Sequence, residues 1–243
     1  MFVRALRKFR TTITTPRRPL EASLSYLCRY MTVEANIFVY LGMIKILRSS
    51  ILAGIAIGFA GFGFLACGRQ PVYGSLAGAI IFCFGLLTVV EYKLKLFTGT
   101  AGFIRKGEIG DLLLILLGNI IGTLLVSLLS RVSPLGIVEG AEKLLAARLA
   151  TGALKCGALA IGCGFMMTTA VTFARQGRFL PLLFAVPLFI VCGFPHCIAD
   201  AFYYLSAPWS FLGAHFWQIL ALYVCIVLGN ALGCNLYRLI ARE

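Results

Sequence analysis
Apolar residues gather in six long runs along the chain, at about 45–67, 74–93, 109–129, 149–173, 179–205 and 211–240. The breaks between them are short and polar or rich in glycine and proline: Gly68-Arg69-Gln70-Pro71, Arg105-Lys106-Gly107-Glu108, residues 131–142, residues 174–178 and Ser206-Ala207-Pro208. A helix needs about 20 apolar residues to cross the hydrocarbon core of a bilayer. Each run therefore predicts one crossing. The fold expected is an all-α membrane protein of six transmembrane helices.

Two runs are interrupted. The second continues through Glu91, Lys93 and Lys95 into Leu96-Phe97-Thr98-Gly99. That places charge and a Thr-Gly break at membrane depth. The fifth contains Gly193-Phe194-Pro195-His196. Non-helical backbone inside a bilayer survives only when buried in protein or lining a cavity. Each break occupies the middle span of a three-span half, and paired interruptions of this kind point to a transport site. The halves also echo each other in Gly118-Asn119-Ile120-Ile121-Gly122 and Gly229-Asn230-Ala231-Leu232-Gly233. Three spans per half would set the two copies in opposite orientation. Each Gly-Asn motif alone also reads as a place where small residues let helices approach.

Composition fits this reading. Of 243 residues, 60% are hydrophobic and 13% charged, whereas soluble domains carry about 25% charged residues. A soluble enzyme and a disordered chain are excluded. The net charge of +13 would suggest nucleic acid in a soluble protein; here its distribution matters more, and no nucleic-acid partner is expected. Arg4, Arg7, Lys8, Arg10, Arg17, Arg18, Arg29, Lys45 and Arg48 fall on one side with Arg105, Lys106, Arg175, Arg178, Arg238 and Arg242. Arg69, Arg131, Lys143 and Arg148 fall on the other. The richer side marks the cytoplasm, with both termini there and a multi-pass chain in the cell membrane. Residues 1–44 form a basic N-terminal segment and 45–243 the transport unit. The nine cysteines show no CxxC pair and read as small apolar residues. No cofactor or metal is expected.

His196 is the candidate proton-handling group, since its ordinary pKa of about 6.5 moves easily across physiological pH. A lone histidine in an apolar span reads equally as a hydrogen-bonded packing residue. Thr98 reads as a pore hydroxyl or a helix cap. Lys93 and Lys95 are costly in a membrane unless paired, wet or snorkelling. Glu91 stands four residues before Lys95, a favourable helical spacing, and Asp200 is a candidate partner for Lys95 across the duplication. A vestibule-facing Lys95 that attracts anions is the alternative.

These segments resemble the formate/nitrite transporter family. Phe82-Cys83-Phe84-Gly85-Leu86 through Leu96-Phe97-Thr98-Gly99 is similar to its second helix and L-F-T-G loop. Gly193-Phe194-Pro195-His196-Cys197-Ile198-Ala199-Asp200 is similar to its fifth-helix loop, and Ser49-Ser50-Ile51-Leu52-Ala53-Gly54 to the start of its first helix. The resemblance implies an aquaporin-like protomer with broken helices two and five, one pore each, assembled as a homopentamer within membrane lipid. It implies small monovalent anions as substrates (formate, nitrite, hydrosulfide, acetate or lactate), with protons as partners. His196 falls on the central pore histidine and Thr98 on the threonine facing it. Phe82, Leu86, Leu96, Phe97 and Phe189 fall on apolar constriction positions, Asn230 near the sixth-helix asparagine, and Lys143 on the vestibule lysine. The chain departs from the pattern at Lys93, Lys95, Pro195, Leu159 and Asp200, where the family carries Gly, Glu, Glu, Asn and Asn.

Two other readings stand beside transport of anions. One is a membrane enzyme using His196 and Asp200 on one helical face, although one His and one Asp are too few for a typical zinc site. The other is a pore for a neutral solute. The chain is read as a transporter and not as an enzyme.

Overall fold
The computed structural model describes residues 19–68, 74–105 and 107–241. The basic residues expected at 4–18, with Arg69, Lys106 and Arg242, lie outside the described residues. All regular structure among those described is helical. In chain order the helices are α1 (Pro19–Cys67), α2 (Gly74–Glu91), α3 (Phe97–Ala101), α4 (Ile109–Ser130), α5 (Ile137–Thr151), α6 (Ala153–Ala174), α7 (Leu180–Val191), α8 (Cys197–Ser206), α9 (Trp209–Ala214), α10 (Phe216–Cys234) and α11 (Leu236–Ile240).

Five of these are long and apolar enough to cross a membrane: Ile37–Cys67 within α1, α2, α4, α6 and α10. The fifth apolar run is divided at the Gly-x-Pro break where the sequence places one. Its first part, α7, has only 12 residues, because the chain turns at Gly193 and Pro195 before α8 begins. The sequence also placed a break at 131–142, and half of that stretch is helix. Ile137, Ala141 and Leu145 recur every four residues and form the buried stripe of α5, so Glu139, Glu142 and Lys143 sit off that stripe, while Arg148 follows Leu145 on its inner side. Gly136 and Gly152 bracket α5 with φ of 57° and 90°, values that glycine adopts without penalty. Helix α1 runs unbroken through residue 44. At 1.5 Å per residue its 49 residues extend about 73 Å, so its N-terminal part projects well past any single crossing.

Glycines let two helix pairs approach closely. A Cβ on Gly54 would strike the carbonyl of Asn119, and one on Gly122 the carbonyl of Ile51. In the later part of the chain Gly164 meets the carbonyl of Asn230 and Gly233 that of Ile161 in the same way. Close backbone approach through small residues is how helices associate where the surrounding lipid is as apolar as leucine. Substituting Gly233 by alanine forces a shift of α6 against α10. The expected loss is about 1–3 kcal/mol, read as a lower thermal midpoint of the purified protein in detergent.

The half-helices α3 and α8 sit inside this frame. Nine of the ten residues of α8 are buried. Its C-terminal carbonyls are covered by Arg131, whose Nη2 donates to the oxygens of Leu205 (3.0 Å) and Ala207 (2.9 Å). The same guanidinium stacks 3.9 Å over the Trp209 ring. A cation at a helix C-terminus opposes the negative end of the dipole. Arg175 plays a similar part for α3 by donating to the Gly99 oxygen at 3.3 Å.

Candidate functional site
The two interrupted segments turn in the same way. The N–H of Leu94 donates to the Val89 carbonyl (2.8 Å), and that of Phe194 to the Phe189 carbonyl (2.9 Å). Lys93 (φ 52°) and Gly193 (φ 69°) both hold the left-handed conformation at the turn. Lysine pays a steric penalty there that glycine avoids.

Each re-entering half-helix is held by one asparagine with the same three bonds. Asn119 Oδ1 accepts the Phe97 N–H (2.8 Å), while its Nδ2 donates to the oxygens of Ser50 (2.7 Å) and Lys95 (2.9 Å). Asn230 Oδ1 accepts the Cys197 N–H (2.7 Å), while its Nδ2 donates to the oxygens of Ala160 (2.8 Å) and Pro195 (3.0 Å). Both asparagines are fully buried. An interrupted helix leaves orphan backbone groups that cannot remain unpaired in a membrane, and a primary amide offers two donors and an acceptor. The Gly-Asn motifs are thus working parts: glycine permits the approach and asparagine bridges the broken chain.

The matched brackets explain two departures from the expected pattern. In the first loop the Lys95 N–H donates to Ser49 Oγ at 3.0 Å. The corresponding residues of the second loop are Pro195, which has no N–H, and Leu159, which offers no acceptor. Donor and acceptor are missing together, so no polar group is stranded.

Thr98 and His196 meet at the junction of the half-helices. Thr98 Oγ1 lies 2.9 Å from His196 Nε2, and both side chains are buried. His196 is the N-cap of α8, and its Nδ1 accepts the Ala199 N–H at 3.2 Å. A nitrogen that accepts carries no proton, so the neutral ring holds its hydrogen on Nε2. Nε2–H then donates to Thr98 Oγ1, leaving the threonine hydroxyl proton free for another acceptor. The N–H groups at the start of α8 are largely taken: Cys197 by Asn230, Ala199 by the His196 ring and Asp200 by the His196 carbonyl.

Apolar rings close around this junction. Phe189 stacks on His196 with centroids 5.8 Å apart, and Phe82 meets Phe189 edge-on at 6.2 Å. Leu86, Leu96 and Phe97 are buried in the same core. Leu96 caps α3 where His196 caps α8.

The charged candidates fall elsewhere. Lys93 and Lys95 are exposed on the first loop, and Lys143 is exposed on α5. Asp200 pairs with Arg148, with Nε 3.5 Å from Oδ1, and this is the one ion pair among the described residues. The expected Lys95–Asp200 pair is therefore corrected. Since α2 ends at Glu91, the helical Glu91–Lys95 pairing also has no helix to form on. Arg148 and Asn119 were not singled out as site residues. The signal for Arg148 was indirect, since a buried Asp200 demanded a cation and several were available. For Asn119 it was the repeated Gly-Asn motif itself.

A family model for formate/nitrite transporters matches residues 27–240. The chain belongs to the formate/nitrite transporter family. Among solved structures, a pentameric formate channel with formate bound has a TM-score of 0.68 and 21% identity, over 83% of this chain and 98% of that one. An FNT family ion channel has a TM-score of 0.64 and 21% identity, over 80% of this chain and 87% of that one. No curated protein sequence matches the chain. Within the formate/nitrite transporter fold, Pro195, Leu159 and Asp200 give this member a less polar second loop and an ion pair beside it.

Proposed function
We propose that the protein carries small monovalent anions of weak acids across the cell membrane, passing them with a proton through a pore in each protomer of a homopentamer. Formate, nitrite, hydrosulfide, acetate and lactate are the candidate substrates. The observation that carries this reading is the buried Thr98–His196 bond at the meeting point of two interrupted helices, enclosed by Phe82 and Phe189. The matched loops and asparagine brackets support six crossings arranged as two inverted three-span units, with α7 and α8 together forming the fifth. The basic bias supports cytoplasmic termini, with residues 1–44 as a basic cytoplasmic segment. The solved formate channel with its pentameric assembly and bound formate supports the oligomer and the substrate class.

The chemistry follows from the cost of charge. A bare anion in hydrocarbon faces a large desolvation penalty, which protonation to the neutral acid removes. Basic mouths, including Lys93, Lys95 and Lys143, concentrate the anion. At the junction the Thr98 hydroxyl donates to it while His196 Nε2–H orients that hydroxyl. The anion takes up a proton from water in the vestibule, crosses the aromatic ring as the acid, and releases the proton beyond. Hydrated inorganic ions lack this route and meet only apolar rings.

Flux into liposomes tests the reading. Formate, nitrite, hydrosulfide and acetate are expected to enter, with the rate rising about tenfold per unit fall in pH while the acid form is scarce. Chloride should be excluded. Opening the Phe82–Phe189 contact by alanine at both positions should raise chloride entry about tenfold, because the apolar barrier widens and admits water. Formate entry no faster than in empty liposomes would reject the reading.

A further inference from the structure
Arg148 touches both ends of the segment that carries His196. Its Nη1 donates to the Gly193 carbonyl at 2.6 Å, at the turn where α7 ends. Its Nε lies 3.5 Å from Asp200 Oδ1, one helical turn beyond His196 on α8. The Asp200 N–H in turn donates to the His196 carbonyl at 2.8 Å. Asp200 is 1% exposed and the Arg148 side chain 19%, so the charges oppose each other at the edge of the buried site. Both carboxylate oxygens lack hydrogen-bond partners, which leaves Arg148 as the group that balances them. The first interruption has no such device: among the described residues no side chain donates to the carbonyl of Lys93, and Thr100 stands where the second has Asp200.

We propose that Arg148 is the positioning residue for the His196 loop and that, with Asp200, it sets the charge an anion meets as it nears His196. A guanidinium suits this task because its planar donors can hold a carbonyl and a carboxylate together, which an ammonium does less well. The charge part of the proposal rests on the transport reading above, while the clamp stands on geometry alone. Removing Arg148 frees the Gly193 end of the loop and takes the positive charge away from the approach to His196. Removing the Asp200 charge leaves the arginine unopposed. The two single changes should therefore move anion flux in opposite directions, which loss of structure alone would not do.

The experiment combines two readouts on the full chain in liposomes. Cys192 is exposed beside Gly193, and a spin label placed there, with other labelling cysteines changed to serine, reports loop order. Formate flux is measured on the same variants. Arg148→Ala should mobilise the label and lower formate flux about tenfold. Asp200→Asn should raise flux by about threefold or more, since the arginine field is no longer cancelled. The neutral pair Arg148→Gln with Asp200→Asn should return flux to within about threefold of wild type, which guards against misfolding of the single variants. A label equally immobile in Arg148→Ala and wild type, or single changes that shift flux in the same direction, overturns the proposal. If the wild type carries no formate, the transport reading fails and the label alone decides the clamp.

Discussion
Phenylalanine in place of His196 will lower formate flux more than a hundredfold, while asparagine will keep most of it. The aromatic substitute fills similar space but can neither accept the Ala199 N–H nor donate to Thr98. Loss of one oriented donor at the barrier, worth about 3 kcal/mol when the partner is charged, corresponds to roughly a hundredfold in rate. Asparagine is a good N-cap and its amide can donate to Thr98, so the junction persists without a titratable ring. The measurement is stopped-flow formate uptake by liposomes at matched protein content. Phenylalanine retaining more than a tenth of the wild-type rate would show that the imidazole is a packing residue. A rate for asparagine as low as that for phenylalanine would instead make the ring itself the proton carrier.

The largest effect on stability is expected at the asparagine brackets. Leucine at Asn230 strands the Cys197 N–H and the Pro195 carbonyl, while the Ala160 carbonyl keeps its helical partner in α6. At about 1–3 kcal/mol for each buried unpaired group, the total is about 2–6 kcal/mol. The thermal midpoint in detergent should fall by about 5 °C or more. Aspartate at Asn230 tests the same point without changing shape, since an ionised carboxylate keeps the acceptor but loses both donors. Asn119→Leu should match Asn230→Leu, because its three bonds are the same. A midpoint unchanged in either variant would mean that the loops are held by packing alone.

The apolar helices and the side chains that meet at the Thr98–His196 junction were legible because they depend on local signals. Long apolar runs, a Thr-Gly break and a Pro-His break are visible in the residues themselves, and the family motifs fixed the order of Phe82, Thr98, Phe189 and His196. Helix α5 was obscured because Glu139, Glu142, Lys143 and Arg148 drew attention from the buried stripe of Ile137, Ala141 and Leu145. The partner of Asp200 stayed open for a different reason. Sequence shows that a buried carboxylate needs a cation, but the choice between Lys95 and Arg148 depends on where α5 lies, a tertiary fact. The Asn119 and Asn230 brackets fell between these cases: the repeated motif was visible, but the three-way use of each amide required the loop backbone to be in place.

The decisive quantity is the number of protons that enter with each formate. Liposomes loaded with a pH dye and held at fixed membrane potential report both lumen acidification and charge movement as formate enters. Passage as the neutral acid predicts acidification by roughly one proton per formate with no accompanying current, both carried by the wild type and lost in His196→Phe. Formate entry that carries one negative charge and leaves the lumen pH unchanged would contradict it.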